Sequence, residues 1–179
     1  MAYALSFPAD EPLRVRAVAG DEAAFDALLR PLIEPALRLA LSMLGDRRDA
    51  EDATQEAMTR AWRKLLQLRP GMSVRPWFFA IVANQCRNIR RTPWFRQTSP
   101  IEVAERRAAR EPEVEHLDLE RGLQRLPSAA RGALFLYFYL DLPIEEVAAP
   151  LGVSPAAAKS RIYRACQRLR PAVALEELE

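Results

Sequence analysis

The chain has 179 residues, of which 50% are hydrophobic and 28% charged, with a formal net charge of +2. That is long enough to bury a substantial core, in one domain or two small ones, and too balanced for a disordered polyelectrolyte or a uniformly basic coat protein. Glycine is scarce, at 6 residues, and alternating runs rich in Val, Ile and Thr are missing, so an all-α protein is expected. No apolar run approaches the roughly 18 residues a membrane span needs. Residues 1–12 lack the basic start and apolar stretch of a signal peptide. Cytoplasmic localisation without membrane insertion is the expectation. Cys86 and Cys166 each sit on an apolar helical stripe and read as reduced core thiols rather than a bridge. With His116 as the single histidine, a Cys/His metal site is not expected. Neither a glycine-rich phosphate loop nor a nucleophile elbow is present. The reading is therefore no catalytic residues, no metal and no cofactor.

In chain order, residues 1–20 carry Pro8 and Pro12 and little pattern, which suggests a partly ordered N-terminal arm. A helical period starts at Asp21 (Phe25, Leu28, Leu29, Leu32, Ile33, Leu37, Ala40, Leu41, Leu44), with a break or kink expected at Pro31 and Pro35 and a stop at Gly45. A second long helix is expected over 46–66, with the stripe Ala50, Ala53, Ala57, Ala61 followed by Trp62, Leu65 and Leu66. Residues 67–76, with Pro70, Gly71, Ser73 and Pro76, read as a loop. A third helix starts near Pro76, its stripe being Phe78, Ile81 or Val82, Cys86 or Gln85, and Ile89, and it ends before Pro93. Residues 98–117 shift in composition, with Pro100, Pro112, several acids and few large apolar residues, and read as a linker with room for a short charged helix. A second helical set then spans 118–175. Leu117, Leu119, Leu123 and Leu126 give one helix, ended by Pro127. Residues 131–140 are so apolar that a buried helix is expected. Residues 144–151, a turn at Gly152-Val153-Ser154, and a helix over 155–170 follow. The expected organisation is an arm (1–20), a first helical domain (21–97), a linker and a second helical domain.

Charge distinguishes these pieces. Arg87, Arg90, Arg91 and Arg96 form a basic stretch, and Lys159, Arg161, Arg164, Arg168 and Arg170 form another with no acid between Glu146 and Glu176. Asp46, Asp49, Glu51, Asp52 and Glu56 crowd acids into one helix start. A near-neutral total thus hides two basic patches and one acidic face, which implies both a polyanionic partner and a basic one.

The strongest local pattern is residues 144–170. A short apolar-patterned helix (Ile144, Val147, Ala148, Leu151) meets a tight turn at Gly152. Ser154 then stands at a cap position, Pro155 at a first helical position, and a basic helix follows. This is the grammar of a helix-turn-helix, whose second helix enters the DNA major groove. Lys159, Ser160, Tyr163 and Arg164 lie near one face of its first turns, while Ile162, Ala165, Cys166 and Leu169 take the core side. A solvated basic helix in an ordinary bundle is the plainer alternative, against which turn, cap and one-sided charge agree. In the first domain, Asp52, Gln55, Glu56, Thr59 and Arg63 fall three or four apart, opposite the alanine stripe. Taken alone these read as a well-capped surface helix, since early acids complement the helix dipole. Trp77, Phe78, Phe79, Trp94 and Phe95, interleaved with Asn84 and arginines 87, 90 and 91, suit melted or single-stranded nucleic acid, where bases stack and phosphates pair. Phe78 also fits a core position, and Trp77 fits either.

Together, DAEDATQEAMTRAW, PWFFAIVANQCRNIRR and LPSAARGALFLYFYLDLPIEEVAAPLGVSPAAAKSRIYRACQRLR resemble a bacterial sigma factor of the extracytoplasmic-function (ECF) group, over about residues 20–175. The resemblance implies two small helical domains, sigma regions two and four, joined by a flexible linker. It implies binding to core RNA polymerase through the clamp helices of the largest subunit and recognition of the −10 and −35 promoter DNA elements, with an anti-sigma factor as a candidate further partner. Asp52, Gln55 and Glu56 match the polymerase-binding helix. The loop 67–75, with Arg69 and Arg75, matches the one that captures a flipped −10 base. Trp77, Asn84, Arg87, Arg90 and Arg91 match the −10 surface, and Lys159, Ser160, Arg161, Tyr163, Arg164 and Arg168 the −35 reading helix. The chain departs from the family pattern at Asn88, at Ala156-Ala157-Ala158 and at Pro150. The main alternative is a free-standing helix-turn-helix regulator with a sensing or dimerising first domain. It accounts for residues 144–170 but not for the acidic helix beside the aromatic-basic one.

Overall fold

A computed structural model describes residues 10–68, 73–98 and 119–176. The described residues hold helices and connecting turns, with no strand among them. The all-α expectation stands. Arg69 and most of its loop, and nearly all of the expected linker, lie outside the described residues.

The first domain is built on α2 (Glu22–Leu44), α3 (Arg47–Lys64) and α4 (Val74–Arg91), which pack mutually. Asp21 caps α2, its carboxylate accepting from the Ala24 N–H at 3.0 Å, and Gly45 ends it in the left-handed conformation at φ 74°. Asp46 caps α3 in the same way. The expected break at Pro31 and Pro35 does not occur: α2 runs through both as one helix. Each proline deprives the carbonyl four residues earlier of its donor. Those carbonyls belong to Ala27 and Pro31, both exposed residues, so the lost bonds fall on the solvent side of the helix rather than in the core. The opposite face buries Leu28, Leu29, Leu32, Ala36, Leu39, Ala40 and Met43 and holds the helix together. The N-terminal arm contains a helix, α1 (Asp10–Val18), that docks on α2 with Ala17 and Arg14 buried. A single turn of 3₁₀ helix (Leu65–Gln67) follows α3, and α5 (Pro93–Thr98) follows α4.

The second domain comprises α6 (Leu119–Arg125), α7 (Ser128–Leu134), α8 (Ile144–Leu151) and α9 (Pro155–Glu176). The buried helix expected over 131–140 is corrected in its second half. After α7 the chain widens into a π-helical turn (Phe135–Tyr139), closed by the Leu140 N–H on the Phe135 carbonyl at 3.1 Å. The extra residue in such a turn rotates the side chains out of helical register. Leu136 stays buried, but Tyr137, Phe138 and Tyr139 reach the surface, Phe138 at 64% exposure. Asp141 then takes a left-handed φ of 51° and turns the chain into α8. Gly152, at φ 65°, makes the tight turn between α8 and α9.

The two domains pack on each other. Helix α4 lies against α8, and α2 lies against α7. This explains why α4 buries Val74, Phe78, Phe79, Ile81, Val82, Ala83, Gln85 and Cys86, more than one helical stripe. One side meets α2 and α3, the other meets α8.

Candidate nucleic-acid and partner interfaces

Three surfaces carry the candidate residues. The first is the outer face of α3. Its back is the stripe Ala50, Ala53, Ala57 and Ala61, buried to within 1%, so the helix sits close on its neighbours and presents a flat front. Asp52, Gln55 and Glu56 share that front and are exposed, as are Thr59 and Arg63. Glu56 is paired with Arg60 at 2.7 Å, and the Thr59 hydroxyl donates to the Gln55 carbonyl. Crowding is felt nearby: burial, then the charges of Asp46 and Asp52, hold the Asp49 carboxyl above the usual aspartate value. The acidic side chains gathered on this stretch suit a cationic partner.

The second surface is α4 with α5. Asn84 and Arg91 are exposed, while Trp77, Arg87 and Arg90 are half-buried. Arg87 donates to the Asn84 side chain and, at 2.9 Å, to the Pro150 carbonyl of α8. Arg90 donates to the Met43 carbonyl at 3.3 Å and lies over the Phe95 ring. Arg75 is buried, and its guanidinium donates to the Leu140 carbonyl of the second domain. Burial lowers the pKa of both Arg75 and Arg87 from the ordinary arginine value. The aromatic set divides: Phe78, Phe79 and Phe95 are core, while Trp94 is 62% exposed.

The third surface is the start of α9. The Ser154 hydroxyl accepts from the Ala157 N–H at 3.2 Å, the expected cap. Lys159, Ser160, Tyr163, Arg164 and Arg168 are exposed, and Arg161 is half-buried. Ala158, Ile162, Ala165 and Leu169 face the core, with Cys166 half-buried beside them. A cation-rich helix with its N-terminal turns bare and its back anchored can enter a major groove. Beside it runs an open groove of about 580 Å³, lined among others by Tyr137, Ile144, Lys159, Tyr163 and Cys166.

Two features escaped the sequence reading. One is Arg131, a buried cation whose guanidinium donates to carbonyls of both domains. The other is the outward display of Tyr137–Tyr139, whose only signal is an aromatic run too long for one buried stripe. Among the described residues no group of three or more His, Cys, Asp and Glu could hold a metal ion, and no helix is long and apolar enough to cross a membrane.

Residues 28–96 match the family Sigma-70 region 2, and residues 116–169 match Sigma-70, region 4. The chain is 33% identical over 186 aligned residues to the ECF RNA polymerase sigma factor SigE of Mycolicibacterium smegmatis, covering 96% of this chain and 72% of that one. It is 35% identical to the ECF RNA polymerase sigma factor SigM of Mycobacterium tuberculosis, over 89% of this chain and 82% of that one. The chain belongs to the ECF RNA polymerase sigma factors. This sigma factor also resembles CnrH, solved in complex with the cytosolic domain of CnrY, with a TM-score of 0.68, 25% identity and coverage of 95% and 98%. It shares its fold with the sigma factor RpoE of Bartonella quintana, at a TM-score of 0.61 and 21% identity over 84% of this chain and 96% of that one. As a sigma factor it is a transcription initiation factor, which binds core RNA polymerase and directs it to promoter DNA. The family assignment disfavours a free-standing regulator, since region 2 accounts for the first domain.

Proposed function

We propose that the three surfaces divide the work of promoter-specific initiation. Asp52, Gln55 and Glu56 dock on the clamp helices of the polymerase's largest subunit. Trp77, Asn84, Arg87, Arg90 and Arg91, with Arg75 from the first turn of α4 and Arg69 from the preceding loop, hold the −10 strand as it melts. Lys159, Ser160, Arg161, Tyr163, Arg164 and Arg168 read the duplex at −35. Unstacking bases costs a few kcal/mol per step, offset by stacking on aromatics and by phosphate contacts. Polymerase must hold these parts in place, so the free chain binds promoters weakly. The protein acts in the cytoplasm, without catalytic chemistry of its own, and a protein partner of the kind bound to CnrH is part of this reading.

The observation that carries the proposal is the capped, cation-rich N-terminal end of α9, with Lys159, Ser160, Tyr163 and Arg164 exposed together. A basic side chain bonded to guanine supplies about 1–3 kcal/mol of discrimination. A phosphate contact instead gives sequence-blind affinity with a salt slope near −0.9 per phosphate. In transcription from a randomised −35 library with core polymerase, Lys159→Ala and Arg164→Ala should relax one or two base pairs of the consensus. Arg168→Ala, about one turn beyond Arg164, should weaken all promoters about alike. Equal loss at every promoter with Lys159→Ala and Arg164→Ala would mean that these residues only hold the backbone.

A further inference from the structure

Of the three tryptophans in the chain, Trp94 stands furthest into solvent. It is 62% exposed, whereas Trp62 rests edge-on against Phe25 with ring centroids 4.9 Å apart and Trp77 is half-buried. An exposed indole forgoes the stabilisation its burial would supply, and here the local structure holds it out. Thr92 ends α4, its N–H and its hydroxyl both donating to the Ile89 carbonyl, at 3.0 and 2.7 Å. The same hydroxyl accepts from the Phe95 N–H at 3.3 Å and so starts α5. Pro93 takes the first helical position and keeps Thr92 extended, at φ −67° and ψ 140°. Phe95 is fully buried, with the Arg90 guanidinium 5.8 Å from its ring centroid. Successive residues of a helix are turned by about 100°, so an anchored Phe95 aims Trp94 away from the core. The indole thus stands on a fixed mount.

The surrounding sequence is cationic. Residues 57–101 contain no Asp or Glu, and Arg91, exposed, closes α4 just before Trp94. A fixed, exposed aromatic among cations suits stacked bases and their phosphates better than an apolar protein face. Its place along α4 adds a location. That helix has 18 residues and is therefore about 27 Å long, the length of about eight base-pair steps at ~3.4 Å each. The loop assigned to the flipped base precedes its start, and Trp94 follows its end. We propose that Trp94 stacks on the last base pair of the promoter duplex where the −10 strand leaves it, closing that edge of the melted stretch. The inference rests on the −10 reading above and adds to it a residue that acts on the junction. A base pair at such a junction has lost one stacking neighbour, and a flat indole replaces that neighbour whatever the sequence. Continuous duplex offers no such face, and a single strand has no base pair to offer one.

The test uses the full chain bound to core polymerase and three DNA probes built on one −10 sequence selected from a randomised library. One probe is a duplex with hairpin-closed ends, one a single strand, and one a fork in which the duplex gives way to that strand. Trp94→Ala should weaken binding of the fork by about fivefold or more, the lower end of what alanine substitution costs a base–aromatic stack. It should leave the duplex and the single strand unchanged, with helix content unaltered. Trp94→Phe should recover most of the loss. A fluorescent adenine analogue in the last pair of the fork should be quenched by the wild type and not by Trp94→Ala. Equal loss on all three probes would make Trp94 part of the fold or of the phosphate surface, and unchanged binding of the fork would leave it without a base contact. Either result overturns the proposal. So does weaker binding of core polymerase itself, which would assign Trp94 to a protein face. Arg91→Ala tests the −10 reading separately, since it should weaken the single strand and the fork alike. Absence of that effect faults the −10 reading, whereas its presence beside an indifferent Trp94→Ala faults the stacking alone.

Discussion

Charge reversal on the outer face of α3 should separate folding from polymerase binding. Glu56 loses one partner, Arg60, in a pair whose side chains are 48% and 42% exposed. An i,i+4 pair of this kind is worth about 0.3–0.5 kcal/mol. Asp52 lies in the second turn of α3, where a cation costs a few tenths of a kcal/mol against the helix dipole. Asp52→Arg also removes one of the charges that raise Asp49. The sign of that effect is fixed by linkage. A carboxyl whose pKa is raised on folding binds its proton more tightly in the native chain, so its contribution is present at low pH and is lost as pH climbs through the raised value. Asp52→Arg should therefore soften the decline in stability above the ordinary aspartate value of 3.8. The double variant, Asp52→Arg with Glu56→Arg, should stay within about 1 kcal/mol of wild type in urea melts at neutral pH, the sum of the pair and dipole terms. Competition for core polymerase should fall much further, by about 30-fold or more, since unpairing charges at an interface costs about 2–5 kcal/mol. Folded variants that compete as well as wild type would place docking elsewhere. A fall in stability above about 2 kcal/mol would instead assign Asp52 and Glu56 to the fold.

Burial pushes the Cys86 thiol up to about 12, so iodoacetamide at pH 8 should alkylate the half-buried Cys166 and spare Cys86 until the chain unfolds. Equal rates for both thiols in the native chain would contradict the packing of α4. Gly152→Ala meets no atom within 4 Å, so its cost is that of a left-handed backbone alone, about 1–2 kcal/mol. Denaturation of the second domain should show that loss, and an unchanged midpoint would mean that the turn at φ 65° relaxes freely.

The helices and their ends were largely legible because caps are local. Asp21, Asp46 and Ser154 each sit at a helix start and accept from the expected N–H, and Gly45 and Gly152 stand at left-handed stops. The candidate residues of α3 and the start of α9 were legible for a related reason: on an amphipathic helix, burial of the alanine or Ile162–Leu169 stripe fixes what faces outward. Residues whose partners are distant in sequence were not. Nothing in the spacing around Arg75 distinguishes an arginine that meets phosphate from one that meets the Leu140 carbonyl. Arg131 stands in an apolar run and carries no periodic signal for its bonds to Ser42 and Met43. Pro31 and Pro35 misled because proline reports a lost donor and not the packing that outweighs it. The π-helical turn was hidden because one inserted residue changes register without changing composition.

The four alanines along the back of α3 act as spacers of one methyl group each. Any larger side chain at Ala50, Ala53, Ala57 or Ala61 would lift the helix off α2 and α4, with overpacking costs of about 1–3 kcal/mol. It would also move every carboxylate on the front by the same displacement. The two faces are thus under opposite constraints. The front can exchange one side chain for another and retune affinity step by step, whereas the back tolerates almost no change in volume. A lineage adapting to a competing sigma factor would find its substitutions at positions such as Gln55 and Thr59, with the alanine register left as a fixed datum.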